Sequence, residues 1–268
     1  MNARPSLRER LSQRQSLIAL LQTHPNPALS EMAANCGYDV VILDDEHGVF
    51  NAGDFLQSIR LLTGTQTAVF VRIREGDMHA IGRFLDMGAD GIVVPGVCTA
   101  EQASACVRAM IYPPLGIRGF AASVHRSTRH GQDVSEHMRA PRGHAALAVM
   151  IESAASVENI ESILSVEGVD AAIVGPSDLS ANLGMLGDFA SSAYVHAMSR
   201  IESAAVTSGK VLGTAPHPGH SVESLSARGH RFFIAGADTM LIREALASAL
   251  ERTRSALPSA ARQGASQP

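Results

Sequence analysis

Short apolar runs, many of them β-branched, alternate along the chain with longer amphipathic segments. The runs cover residues 17–21, 40–43, 68–73, 91–94, 147–151, 171–174, 211–214 and 232–235. Each reads as a strand buried on both faces, since a strand with one wet face would alternate apolar and polar residues. Between them the periodicity predicts helices near 27–36, 51–62, 77–87, 100–110, 154–164, 190–208, 219–229 and 239–256. Ser153 and the Asp238-Thr239 pair offer N-cap oxygens, and Gly64, Gly88, Gly209 and Gly229 stand where C-caps belong. Strands alternating with helices imply a parallel sheet. Eight such units imply a closed α/β (β/α)8 barrel in preference to a doubly wound open sheet.

An N-terminal helix is expected ahead of the barrel, and a long loop before the fifth strand, over residues 111–146. That loop carries Pro113-Pro114, Gly116 and Arg118-Gly119, then a basic, His-rich passage from His125 to His144. A loop of this length inside a compact domain is usually functional or mobile. Residues 1–256 are expected to form one barrel domain and 257–268, rich in Ser, Ala, Gln and Pro, a disordered tail.

Composition narrows the class. The 268 residues suffice for one barrel of about 250 residues, and 46% hydrophobic content suits a compact core. The formal net charge is −4 with both signs interspersed, which argues against a nucleic-acid surface. No apolar run approaches the roughly 20 residues that span a bilayer. The polar first 15 residues carry Arg4, Arg8, Arg10 and Arg14 without the apolar core of a secretory signal. Cys36, Cys98 and Cys106 form neither a disulfide framework nor a C-x-x-C pair, so a reducing cytoplasm is the natural setting.

In such a barrel the chemistry lies at the C-terminal strand ends. The second strand ends abruptly in Asp44, Asp45, Glu46 and His47, a poor core and a plausible site. Arg72 closes the third strand, Pro95-Gly96 follows the fourth and Glu152 the fifth. Gly175-Pro-Ser-Asp178 follows the sixth, Thr214-Ala-Pro-His217 the seventh and Gly236-Ala-Asp238 the eighth. Plainer roles exist for each. Glu152 and Asp178 could be first-turn helix acids, Arg72 could be a salt-bridge partner of Asp44 or Glu46, and His47 a structural histidine. Two acids ending adjacent buried strands also make hard oxygen ligands for Mg²⁺ or Mn²⁺. Arg72 could serve as a planar donor to a carboxylate or a developing enolate, and His47 as a general base. The amides around Gly175-Pro176-Ser177 could hold a carboxylate or phosphate. His24, His79, His196 and His220 are expected mainly at the surface. There is no Walker loop and no dinucleotide fingerprint, which disfavours ATP and NAD.

Several segments together resemble the HpcH/HpaI family of metal-dependent (class II) pyruvate aldolases. They are Leu43-Asp-Asp-Glu-His-Gly48, Val71-Arg72, Val94-Pro95, Tyr112-Pro-Pro-Leu-Gly-Ile-Arg-Gly119, Ile151-Glu152, and Val166-Glu-Gly-Val-Asp with Gly175-Pro-Ser-Asp-Leu-Ser180. They fall in family order across roughly residues 15 to 245. The resemblance implies a phosphoenolpyruvate-type barrel and a hexamer, a dimer of trimers, in which the last helix packs on a neighbouring subunit. By matching position it makes Glu152 and Asp178 the ligands of a divalent metal (Mg²⁺, Mn²⁺ or Co²⁺). Arg72 becomes the binder of the keto oxygen, His47 the base with Asp44 its partner, and Gly175, Pro176 and Ser177 the carboxylate cradle. Asp86 resembles the acid that reaches a histidine across a subunit interface. The implied reaction makes or cleaves a 4-hydroxy-2-oxo acid from pyruvate and an aldehyde through a metal-stabilised enolate. No Schiff-base lysine is needed, and the only lysine, Lys210, is expected at the N-terminal end of the seventh strand.

The chain also departs from the family. Met150 stands where the aldolases commonly carry Gln, and Thr214-Ala-Pro-His-Pro-Gly219 is unusual. A basic rim with His125, Arg126 and Arg129 suggests an acceptor with extra carboxylates. That keeps a metal-assisted, citrate-synthase-like condensation of acetyl-CoA with oxaloacetate, as in siderophore pathways, as the alternative. A catalytically silent scaffold is the third possibility.

Overall fold

In the computed structural model, which describes residues 5–139 and 143–258, the expected eight parallel strands close in sequence order into a barrel. The chain begins with α1 (Leu7–Ser12), β1 (Leu17–Gln22), α2 (Pro27–Asn35), β2 (Val40–Asp44), α3 (Ala52–Leu62) and β3 (Ala68–Arg72). It continues with α4 (Met78–Met87), β4 (Gly91–Val94) and α5 (Ala100–Met110). The long loop then holds a 3-10 turn (Arg126–Thr128) and α6 (Val134–Arg139). Next come β5 (Ala146–Ile151), α7 (Ala154–Glu158), α8 (Ile160–Ser165), β6 (Ala171–Val174), α9 (Pro176–Asn182) and α10 (Ser192–Ser208). The chain closes with β7 (Val211–Thr214), α11 (Val222–Ala227), β8 (Phe232–Ala237) and α12 (Asp238–Ala256).

The apolar runs matched the strands to within two residues at every end. The helices were less well anticipated. The single helix expected over 154–164 is broken at Asn159 into α7 and α8, and α6 lies in what read as irregular loop. Of the expected tail 257–268, residues from 259 on lie outside the described residues. Ser153 does cap α7, its side chain accepting from the Ser156 amide. Asp238 does not act as an N-cap. That position is Ala237, and the Asp238 carboxylate instead accepts from Thr23 Oγ1 at 2.7 Å and the His24 amide at 3.0 Å. It therefore ties the β8 end to the β1 end.

Most strands are buried on both faces, one toward the barrel axis and one toward the helices, while β1 and β8 carry the exposed residues Ile18 and Ala235. Ala19, Val40, Ile42, Phe70, Val93, Ala148, Ile173 and Phe232 belong to the inner cluster. Two aromatic rings, Phe70 and Phe232, meet edge to face at 5.9 Å there. Glycine on the adjoining strands gives them room: a Cβ on Gly91 would lie 2.3 Å from the Phe70 ring, and one on Gly213 2.8 Å from Phe232. Leu7 and Leu11 of α1 join the same cluster and plug the N-terminal end of the barrel. The axis is therefore packed from below and leaves only the opposite end for a site. By contrast α12 stands off the barrel, with Asp238 its one buried residue among those described. No helix among the described residues is long and apolar enough to cross a membrane.

Candidate active site

Side chains along a strand alternate between the two faces. The inward positions Ile42 and Phe70 are therefore followed, two residues on, by Asp44 and Arg72, and the inward series Ala148, Met150 by Glu152. Asp44 and Arg72 are direct cross-strand partners in the β2–β3 register. Arg72 grips the fully buried Asp44 with both arms of its guanidinium, Nε to Oδ1 at 2.8 Å and Nη2 to Oδ2 at 2.7 Å. Such bidentate pairing is the strong, orientation-fixing form of the interaction. Asp44 Oδ1 also accepts the Glu46 amide at 3.1 Å, and Arg72 Nε lies 3.4 Å from Glu46 Oε2. Burial alone would lower the Arg72 pKa, but the Asp44 hydrogen bonds and the charges of Asp44, Glu46 and Glu152 outweigh it and raise the value. Arg72 thus remains a cation.

The expected pairing of His47 with Asp44 is not what the structure shows. Both Asp44 oxygens are occupied by Arg72, while the His47 side chain is 71% exposed, its Nε2 4.0 Å from Glu46 Oε2. Glu46 is the residue that stands between His47 and Arg72. Asp45 points away from this group: it is buried between Arg74 and Arg83 and is structural. Gly48 is needed where it stands, since a Cβ there would lie 2.1 Å from the Asp44 carbonyl oxygen and 2.9 Å from that of Thr23. It lets the chain fold back over the β2 end, where the Val49 amide donates to Thr23 at 3.0 Å.

Across the mouth the acids are less well satisfied. Glu152 accepts the Gly96 amide at 2.7 Å through Oε1. Burial raises its pKa, the charges of Glu46 and Asp178 add to that, and the Gly96 hydrogen bond and Arg72 oppose it. Glu46 is likewise raised, first by burial, with Asp44 and Asp178 contributing. Glu46 and Glu152, raised first by burial and then by the carboxylates around them, leave a negative mouth that a divalent cation would relieve. Gly175 keeps the space open, since a Cβ there would approach Glu152 Oε2 to 3.0 Å. Asp178 lies in the first turn of α9, which starts at Gly175 with Pro176 and Ser177 and has no side-chain cap. Among the described residues no three His, Cys, Asp or Glu side chains are gathered as a complete metal cage. Glu152 and Asp178 therefore suit a partial shell, the rest left to water and substrate.

The remaining expectations fall elsewhere. Asp86 lies near the C-terminal end of α4, about 12 Å along that helix from Met78. It is paired with Arg118 and His125 of its own chain, not with the mouth residues. The basic rim is also misplaced. Arg126 donates to the Met87 carbonyl and Thr63 Oγ1, where α3 and α4 return to the N-terminal end of the strands, and Arg129 pairs with Asp133. His220 is 8% exposed, against the surface position expected for it. Its ring stacks on His217 at 4.3 Å, and His217 Nε2 meets Tyr194 Oη at 2.9 Å, which pins the loop after β7. Lys210 directly precedes β7, at the plugged end.

The HpcH/HpaI aldolase/citrate lyase family model matches residues 18–245, a span that includes every residue named at the mouth. The chain belongs to the HpcH/HpaI aldolase/citrate lyase family. It is 34% identical over 252 residues to a 2-keto-3-deoxy-L-rhamnonate aldolase of Salmonella typhi, with 92% of each chain covered. Among solved structures it resembles an HpcH/HpaI aldolase/citrate lyase family protein from Burkholderia cenocepacia J2315, with TM-score 0.87, 28% identity and coverage of 92% and 98%. It also resembles the citrate synthase SbnG, with TM-score 0.83, 28% identity and coverage of 93% and 98%. The HpcH/HpaI chain is accordingly an enzyme, a carbon–carbon lyase of the aldolase type.

Proposed function

We propose that this chain is a divalent-metal-dependent aldolase that cleaves or forms a 4-hydroxy-2-oxo acid from pyruvate and an aldehyde. The observation that carries the reading is the meeting, at one barrel mouth, of a cation locked in place by Asp44 with the half-buried acids Glu46 and Glu152 and with Asp178 beside them. Glu152 and Asp178 would hold Mg²⁺, Mn²⁺ or Co²⁺, which when bound supplies Lewis-acid polarisation of a 2-oxo acid. Arg72 donates to the keto oxygen, and its rigid fork stabilises the negative charge that develops there as the C3–C4 bond breaks. The uncapped first turn of α9, Gly175, Pro176 and Ser177, receives the substrate carboxylate. His47, exposed at the entrance, accepts the C4 hydroxyl proton during cleavage and returns it during addition. Glu46 Oε2 stands 4.0 Å from its Nε2.

Asp86 takes part only through a neighbouring copy, whose His47 it would meet, because α4 carries it away from its own mouth. A homo-oligomer, a dimer of trimers, fits the uncovered apolar positions. Met240, Ile242, Leu246 and Leu250 of α12 are 52%, 44%, 67% and 51% exposed, and Ile18 on the outer face of β1 is 48% exposed. Three free cysteines suit a reducing cytoplasm.

The test is exchange of pyruvate methyl protons in heavy water. Exchange is expected with Mg²⁺, Mn²⁺ or Co²⁺ and lost with a chelator; its absence with every metal would sink the aldolase reading. Thiol release from acetyl-CoA with oxaloacetate, without pyruvate exchange, would favour the citrate-synthase-like alternative. That alternative keeps less support, because Arg126, one of the basic side chains expected around the acceptor, is engaged at the other end of the barrel.

A further inference from the structure

Asp86 sits in a polar network whose other members, Arg118, His125, Tyr112 and His137, have no part in the reaction described above. One of its oxygens, Oδ1, is shared between Arg118 Nη2 and His125 Nε2, the latter at 3.4 Å. Among the described residues Oδ2 has no hydrogen-bond partner, and the side chain remains 30% exposed. It lines a recess of about 560 Å³ shared with His79 and Arg83. Arg118 is nearly fully buried, its guanidinium lies 4.8 Å over the Tyr112 ring, and its Nε has no partner. It cannot swing away without leaving the buried charge unpaired.

The tautomer of His125 follows from its neighbours. Nε2 lies 3.4 Å from the Asp86 carboxylate, which can only accept, so Nδ1 is the unprotonated nitrogen and accepts from Ser127 Oγ at 3.0 Å. Nε2 then carries the hydrogen and faces Asp86 Oδ1 and, at 3.2 Å, Tyr112 Oη. Tyr112 in turn lies 3.1 Å from His137 Nε2, to which its hydroxyl donates, leaving the phenolic oxygen free to accept from His125. Burial holds both imidazoles below their usual range, in keeping with neutral rings that each offer a single N–H.

We infer that His125, set by Tyr112 and His137, is a positioning residue that together with Arg118 holds the Asp86 carboxylate in one rotamer, with Oδ2 presented to the recess. The inference rests on the reading that Asp86 serves the reaction. The Arg118 hydrogen bond to Oδ1 and the His125 Nε2 edge packed 3.4 Å from the same oxygen restrict rotation about the Cβ–Cγ bond, so an entering imidazole meets a pre-oriented acceptor.

A double-mutant cycle tests it in the full-length, Mg²⁺-loaded enzyme, using addition of pyruvate to glycolaldehyde and separate kcat and KM values. His125→Ala is expected to lower kcat about 10-fold with KM for pyruvate unchanged. His125→Gln, whose amide N–H replaces Nε2–H, should recover most of that loss. In an Asp86→Asn background His125→Ala should cost nothing further. If Asp86→Asn lowers kcat and His125→Ala lowers it again by the same factor, His125 acts independently and the inference is overturned, while the role of Asp86 stands. Full activity in Asp86→Asn removes Asp86 from the reaction, and the inference with it. Should His125→Ala fail to fold, His125→Leu and Tyr112→Phe carry the cycle. Unchanged kcat in both overturns the inference.

Discussion

On the β2–β3 side of the mouth Asp44, Arg72 and Glu46 answer one another's charges, whereas on the β5–β6 side Glu152 and Asp178 raise the cost of ionising their neighbours. The first side is complete as a piece of protein structure. Its cation is pre-oriented before any substrate arrives, which is what stabilisation of a developing oxyanion requires. The second is completed only by something the chain does not supply. Orientation has been built into one half and affinity for a cation into the other, and substitutions on the two halves should therefore differ in kind.

The largest effect is expected on the acidic side. Glu152→Ala or Asp178→Ala should reduce turnover to background and abolish its response to added Mg²⁺ or Mn²⁺, with the circular dichroism spectrum unchanged. Retained metal-stimulated turnover in either variant would take that residue out of the site. On the paired side the loss should reach folding as well. Arg72→Ala leaves Asp44 buried without its partner, a loss of about 3–5 kcal/mol in urea unfolding. Arg72→Lys, which keeps the charge but not the fork, should lower kcat on the order of 10²-fold. His47→Gln comes next, with kcat down about 10²-fold and an unchanged melting temperature, because that side chain is 71% exposed. A fall in melting temperature would point to a structural histidine instead.

The smallest effect has the opposite sign. The folded protein raises the Glu152 carboxyl above its ordinary value, so the native state binds that proton more tightly than the unfolded chain does. As pH rises from the ordinary carboxylate value through the raised one, the metal-free protein should lose stability. Glu152→Gln removes that loss. Its metal-free form should be more stable than the parent at neutral pH, with the difference closing as pH falls below the ordinary carboxylate value. Equal or lower stability at neutral pH would show that Glu152 is not strained, and the contrast between the two halves would collapse.

The barrel was legible because each of its strands is an uninterrupted apolar run, and the site because charge ends those runs abruptly at Asp44, Arg72 and Glu152. What could not be read was pairing between elements. A salt bridge of Arg72 to Asp44 or Glu46 was anticipated, but that Arg72 takes both Asp44 oxygens and leaves His47 to Glu46 depends on the β2–β3 register, which apolar runs do not encode. The direction of the 120–139 segment was missed for a similar reason: Arg126 is drawn to Met87 and Thr63, partners distant in sequence. Asp238 looked like a cap because an acid before a helix usually is one. Gly96, whose amide holds Glu152, was placed at the mouth without a role, although a glycine directly after a buried strand can mark close backbone approach to a ligand or side chain.

Lys210, the single lysine of the chain, directly precedes β7 at the end plugged by α1. Borohydride added in the presence of pyruvate should therefore leave the enzyme active, since the only ε-amine stands a barrel's depth from the mouth. The same placement makes amine coupling directional. Apart from the α-amine, a surface or dye carrying an activated ester has one point of attachment, and it leaves the open end of the barrel facing solution.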